Sequence, residues 1–351
     1  MVQMESRKLQ KVGYSTLSVS LPSGWIKEKG LKRGDTVFFM PEKDGAIKVY
    51  PSELVNPKEE VEEYICNADL CVDPKMMERV IVGSYILGRE TFSIISSERM
   101  RSEHVDEVRG VVRKLIGLGI VEETSDRITL QCSVDPKKFQ IDMLLRRLSL
   151  ISLTIVKESI QALVDSDESL AQSAIDREDE ADTMCMLAMR LLISAQRKRE
   201  VAEGIGLTDP LYILYYGLML RSLELIADYA EEIARRVITL LRKYKDRLPK
   251  WVIERLSNLN DLAHDLVAKS VDAFFIGDIK IANSLLEMLT FIELERDRLM
   301  QELPELPHLR SILWDINRIA DNGAGIALIA INNTLEKKTK ICSKRWPVSA
   351  K

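Results

Sequence analysis

From about residue 138 to residue 336, apolar positions return every three or four residues. Ile141, Leu144, Leu145, Leu148, Ile151, Ile155 and Ile160 form the clearest run, which is the spacing of an amphipathic helix. Polar or proline-bearing stretches interrupt the pattern at VDSDES, GIGLTDP, DRLPKW, IGD and LPELPH. Six predicted helices remain, at roughly 138–164, 168–201, 209–246, 249–276, 278–302 and 307–336. Six helices in one tract predict two three-helix bundles arranged as tandem repeats.

The first fifty residues have a different texture. LSVSL alternates apolar and polar positions, TVFFM is rich in strand formers, and AIKVY closes the segment. Turns are expected at LPSG, KRGD and EKDG, with a short helix at GWIKEKG. The order is a strand ending in Leu21-Pro22, a helix from Trp25 to Lys29, the turn GLKRGD (30–35) and two more strands. It resembles the AbrB/SpoVT family of DNA-binding swapped hairpins over nearly all of residues 4–51. The resemblance implies two chains interlaced into one barrel with a basic face toward DNA. An independent core is hard to build from so few residues, so a homodimer is expected on physical grounds as well.

Between the two lies a mixed stretch. EEVEEYI, PKMMERVIVGSYILG and SEHVDEVRGVVRKLIGLG read as helices; TFSIIS, IVEE and RITLQC read as strands. The expected organisation is therefore multidomain. A small β-rich, swapped-hairpin N-terminal domain spans 1–52 and an α/β connector 53–135. An all-α domain of two three-helix repeats spans 136–336, and a basic tail 337–351.

Composition supports helix-rich packing, because 46% of residues are apolar but only 6% are aromatic. The longest apolar run, LYILYYGLML (211–220), stops at Arg221, short of a membrane span. Cytoplasmic localisation without membrane insertion is expected. Five cysteines show no C-x-x-C spacing and are expected to be reduced. The net charge of −4 conceals a division: +4 over 1–52, +6 over 337–351 and −14 between them. Basic ends suggest an anionic partner, and an acidic middle suggests cations.

The acids follow a pattern. An acid or amide is followed four residues later by Asp at Glu178/Asp182, Glu224/Asp228, Glu293/Asp297 and Asn317/Asp321, once on the second and third helix of each repeat. Residues four apart share a helix face. Three pairs interrupt an apolar stripe; Glu224/Asp228 does so less cleanly, with Glu231 and Arg235 near its line. Asp176 and Glu180 point to the back of their helix. Carboxylates on a buried stripe need pairing, protonation or a metal. Converging oxygens suit a divalent or iron-type ion. The competing reading is a carboxylate–arginine network through Arg177, Arg221, Arg235, Arg296 or Arg318.

AIDREDEAD with LELIADYAEEIA, then FIELERDRL with NRIADNGAGIA, resemble the two tandem repeats of the PhoU family. That resemblance implies E/D-x-x-x-D metal centres and control of phosphate uptake, through a phosphate ABC transporter or its signalling components. It implies a regulator, not an enzyme. The expected metal ligands are Glu178, Asp182, Glu224, Asp228, Glu293, Asp297 and Asp321. Asn317 departs from the family's acid at its position, and Glu295 is an alternative to Glu293.

Basic residues Arg7, Lys8, Lys11, Lys27, Lys29, Lys32 and Arg33 gather on and around the first strand, helix and turn. A dimer doubles them into a surface able to position a phosphate backbone. Two further readings stay open. One is a carboxylate-bridged metalloenzyme, which would need more helical histidine ligands than His104, His264 and His308 supply. The other is an interaction scaffold whose N-terminal module does not bind DNA.

Overall fold

The computed structural model describes residues 5–41, 45–52, 64–207, 209–306, 308–336, 339 and 341–342. The chain divides into two compact units, Met1–Glu63 and Tyr64–Lys351.

The N-terminal unit consists of two antiparallel hairpins and a short helix. Strands β1 (Gln10–Val12) and β2 (Thr16–Ser18) form the first hairpin, and β3 (Val37–Pro41) and β4 (Ile47–Pro51) the second. Helix α1 (Ser23–Glu28) lies between them in sequence. Gly30, at φ 65°, ends α1 in the left-handed conformation that favours glycine. Asp35 Oδ2 accepts from Lys32 N at 2.6 Å, which ties the following turn. Strand β1 is additional to the three expected extended stretches. Its three residues are too few to show alternation, and its partner β2 identifies it. The expected EKDG turn has its first three residues outside the described ones. Leu9, Val12, Leu17, Phe38, Phe39, Met40 and Ile47 are all exposed, so among the described residues this unit alone encloses no apolar core.

The second unit begins with a four-stranded mixed sheet in the order β5–β6–β8–β7. Its strands are β5 (Tyr64–Asn67), β6 (Thr91–Ile95), β7 (Leu118–Glu123) and β8 (Arg127–Cys132). Helices α2 (Met76–Ile86) and α3 (Ser102–Lys114) are interleaved with them. Phe92, Ile94, Ile128 and Leu130 from the sheet meet Met77, Ile81, Tyr85, Val108 and Val111 from the helices in one core. The expected helix EEVEEYI is corrected at its end: Tyr64 and Ile65 belong to β5, which pairs in parallel with β6. The rest of that segment lies outside the described residues. A parallel neighbour distant in sequence decided the strand, and local pattern does not contain it.

The remaining helices are α4 (Ile141–Asp165), α5 (Glu168–Arg197), α6 (Arg199–Gly204), α7 (Pro210–Tyr244), α8 (Lys250–Ile276), α9 (Ile279–Glu302) and α10 (Leu309–Leu335). Two bundles form, α4/α5/α7 and α8/α9/α10, and they pack on each other through α7 with α10 and α4 with α8. One continuous apolar core runs through both. The repeats share their first turn. Ser166 and Gly277 take the left-handed conformation after α4 and α8. Asp167 and Asp278 then cap α5 and α9, each accepting from two backbone N–H groups. On α10, a Cβ at Gly323 would meet Leu266 Cδ2 at 2.6 Å and Val267 Cγ2 at 2.8 Å. That helix therefore approaches α8 more closely than any side chain permits.

The sequence expected one helix over 168–201; the structure breaks it at Lys198, which is extended. The chain is held there from outside the bundle. Arg197 donates to the Leu87 carbonyl at 2.9 Å, and Lys198 pairs with Glu90 at 3.5 Å. The α/β segment and the helical tract thus form one unit around two cores.

Candidate functional site

Helix α5 carries two sets of side chains. Glu178 and Asp182 turn toward α7, where Asp228 projects from the facing helix. Carboxylate oxygens of these three lie within 4.8 Å of one another and are half-buried. Glu224, one turn before Asp228, is half-buried beside them and bound by Arg221. Asp179, Thr183, Arg190 and Arg197 turn the other way, onto the α/β segment. Lys114 Nζ meets Asp179 at 3.1 Å, and Thr183 Oγ1 donates to the Lys114 carbonyl at 3.1 Å. Buried Arg190 donates to the Tyr85 and Arg89 carbonyls at 2.6 and 3.0 Å, at the C-terminal end of α2. The carboxylate cluster and the connector's docking surface thus share one helix.

The electrostatics follow from burial and crowding. Burial first, then the neighbouring Asp182, pushes Glu178 up to about 8, with Glu231 and Asp228 adding to the effect. Asp182, Glu224 and Asp228 also shift upward, each mainly by burial. Glu178 and Asp182 share a hydrogen bond, so one proton held between them relieves a like-charge pair. Cys185, one turn beyond Asp182, is pushed up to about 12 by burial and by Glu224, Asp182 and Asp228. Arg177 reaches away to Glu158 at 3.2 Å, and Arg235 binds Glu231 at the margin. Exposed Asp176 and Glu180 bond to Gln172 and Arg147.

The donors are all carboxylate oxygens, a hard set that fits Mg²⁺, Mn²⁺ or Fe²⁺. Among the described residues this is the one group of at least three such side chains close enough to hold an ion. Glu293, Asp297 and Asp321 do not form a second. There Arg296 donates through Nη1 to Asn317 Oδ1 at 2.8 Å and through Nε to Asp297 Oδ1 at 2.9 Å. Asn317 Nδ2 donates onward to Asp321 Oδ2 at 3.1 Å. Counted from the capping aspartates, Glu293 stands where Asp182 does, and Leu289 stands where Glu178 does. Glu295, the alternative to Glu293, pairs with Arg255 at 3.6 Å.

Residues 145–237 match the PhoU domain. The matched region covers most of α4, all of α5 and α7 as far as Val237, so it contains Glu178, Asp182, Glu224 and Asp228. Two relatives are each described as a phosphate-specific transport system accessory protein PhoU homolog. The one from Pseudomonas aeruginosa is 24% identical over 187 residues, covering 50% of this chain and 74% of its own. The one from Pseudomonas putida is 24% identical over 187 residues, covering 50% of this chain and 70% of its own. The crystal structure of PhoU from Pseudomonas aeruginosa aligns with a TM-score of 0.50 at 20% identity. It covers 56% of this chain and 96% of that one, a likeness of fold.

The histidines lie elsewhere. His104 is buried, with Nε2 2.8 Å from the Cys71 carbonyl oxygen and 3.0 Å from Arg101. His264 is on α8 beside Asp265, and His308 precedes α10. All seven candidate DNA-contacting residues, Arg7, Lys8, Lys11, Lys27, Lys29, Lys32 and Arg33, are exposed in the N-terminal unit. Lys29 pairs with Glu28 at 2.8 Å and Arg7 with Glu5. Cys66, Cys71, Cys132, Cys185 and Cys342 are free thiols. Among the described residues, no helix is long and apolar enough to cross a membrane.

Sequence reasoning noted Glu231 near the line of the α7 pair but not its effect, and it missed Asp315. Glu231 lies one turn beyond Asp228 and raises both Glu178 and Asp228. Asp315 on α10 is pushed up to about 6 by burial despite its ion pair with Arg236 on α7, and so joins the two bundles. Neither fits the acid-x-x-x-Asp spacing. Asp315 had one signal, an acid inside the apolar run Ile312, Leu313, Ile316.

Proposed function

We propose that this protein regulates phosphate uptake, with a PhoU-like helical domain that holds a divalent cation and an N-terminal module that pairs with a second copy to bind DNA. The observation that carries the reading is the coincidence of the PhoU-domain match with the helices whose carboxylates converge. Glu178, Asp182 and Asp228 would hold the ion, with Glu224 at its edge; a bound cation supplies the positive charge that these buried acids otherwise replace with protons. The role is one of binding, not catalysis, and the transporter or its signalling components are the expected partners on the helical side.

For the N-terminal unit, the support is its exposed apolar strands and seven exposed cations. A partner copy would cover the first and double the second. Communication would run through α5, because the residues that dock the connector alternate along it with those that face the acids. A cation binding more tightly to one arrangement of α5 shifts the chain toward that arrangement.

Equilibrium dialysis of chelator-stripped protein against Mn²⁺, beside the Glu178→Gln, Asp182→Asn variant, tests the cation site. Equal Mn²⁺ content in both would remove it. A gel shift across a salt series tests the DNA module, using DNA upstream of phosphate-transport genes and unrelated DNA. Replacing Arg7, Lys8 and Lys11 by Ala should weaken binding while leaving the dimer intact. Absence of any salt-sensitive shift by the wild type would leave the scaffold reading.

A further inference from the structure

The second repeat keeps the four-residue acid spacing, one turn further along α9 than on α5, and places a guanidinium within it. The Arg296 side chain is 13% exposed, and its guanidinium carbon lies 5.0 Å from the centre of the Trp314 ring. It reaches Asp297 directly and Asp321 through Asn317. We propose that Arg296 is the cation of the second repeat, a tethered positive charge that serves the polar groups of α9 and α10 in place of a metal ion. Each chain then carries one divalent-cation site, not two. The inference rests on the cation reading of the first repeat for its count, but not for the role of Arg296.

Three features fit. Asn317 is 2% exposed, so its amide must find partners inside the protein. Its oxygen accepts from a guanidinium and its nitrogen donates to a carboxylate, an arrangement that also fixes which way the amide faces. Aspartate at 317 could accept from Arg296 but could not donate to an ionised Asp321. The amide that departs from the family pattern is therefore the group that relays charge from Arg296 to Asp321. Next, a guanidinium carries its positive charge on the chain itself, so this charge does not depend on metal supply. A divalent ion among the same oxygens would sit within a few ångströms of it and be repelled. Finally, the Trp314 face holds the guanidinium against the bundle through a cation–π contact. In the first repeat, Arg221 and Arg235 bind single acids from side chains 59% and 54% exposed, outside the Glu178/Asp182/Asp228 group.

The test uses the full chain, stripped with chelator and dialysed against Mn²⁺, with bound metal counted by elemental analysis and Tm read with and without Mn²⁺. Arg296→Met should lower Tm in chelator and recover part of the loss in Mn²⁺. That recovery should persist when Glu178→Gln and Asp182→Asn are also present. Wild type should lose its metal on those two substitutions. Two equivalents in wild type, or a Tm of Arg296→Met that Mn²⁺ moves no more than it moves wild type, would overturn the proposal. Should Arg296→Met fail to fold, Asn317→Asp decides. With Arg296 in place it should gain no Mn²⁺, and a new equivalent would show that Arg296 does not hold the position. Wild type without any Mn²⁺ would refute the first-repeat site alone, leaving the response of Arg296→Met to decide this inference.

Discussion

In the first repeat, carboxylates from α5 and α7 converge with their cationic neighbours at the margin, and burial raises the proton affinity of all four. In the second, the four-residue spacing falls one turn later on α9, Arg296 reaches across to α10, and an amide replaces one acid. The helix plan, the turn and the capping aspartate are shared. The difference teaches that a repeated acid motif specifies a place for positive charge but not its source. A repeat can leave that charge to a proton or a metal, or supply it from its own chain.

The largest expected effect that separates the repeats is the loss of their arginines. Arg296→Met should destabilise metal-free protein by about 1.5–3 kcal/mol, because the buried Asn317 amide oxygen loses its donor and the cation–π contact is lost. Arg221→Ala, on an exposed side chain of the first repeat, should cost under ~1 kcal/mol. Comparable losses in chemical denaturation would erase the contrast.

Next comes removal of charge from the first repeat. Glu178→Gln with Asp182→Asn should stabilise the metal-free chain by about 1–3 kcal/mol near pH 8, since two crowded acids no longer need to ionise. In saturating Mn²⁺ the order should invert, with wild type the more stable.

The pH dependence sharpens the same point. The four first-repeat acids bind protons more tightly folded than unfolded, so the folded chain holds extra protons between the two ranges. Metal-free stability should therefore fall as pH rises from about 4.5, the ordinary glutamate range, through about 8, where Glu178 titrates. The slope should flatten in the Gln/Asn variant. A thermal melt series between those limits reads it, and a rising slope would contradict the assigned burial.

The smallest effect lies on the back of α5. Lys114→Ala removes an exposed ion pair to Asp179 and should change stability by only about 0.5 kcal/mol. Its use is as a control: hydrogen exchange at α3 and α5 should respond to Mn²⁺ in wild type and in this variant alike, unless Lys114 itself carries the connection.

Much of the helical architecture was legible because its signal is local. Ile141 to Ile160 mark α4 by spacing alone, and the aspartates capping α5 and α9 sit just before the helices they open. The back-facing positions of Asp176 and Glu180 also followed from helical periodicity. Strand β5 was not legible, since Tyr64 and Ile65 are extended by pairing with Phe92 and Ser93 far along the chain. Nor was the break at Lys198, which contacts with Leu87 and Glu90 impose. Within the candidate site the pairs were visible, and Glu231 was placed near the line of Glu224 and Asp228, but its effect on Glu178 was not. Glu231 lies off the motif spacing, as does Asp315 outside the site.

The sequence by itself determined which helix faces would carry acids, because side-chain direction on a helix follows from residue number. It could not determine how closely those acids approach their neighbours, since a facing side chain comes from another helix whose height and rotation are set by packing. Only the tertiary structure placed Asp228 against Glu178 and Asp182, and only it laid Arg296 across Asn317 and Trp314. Arg296 is one of several arginines near these motifs and looks no different from the others in sequence. Burial beside an amide and an indole ring, supplied by α10, makes its charge part of the second repeat.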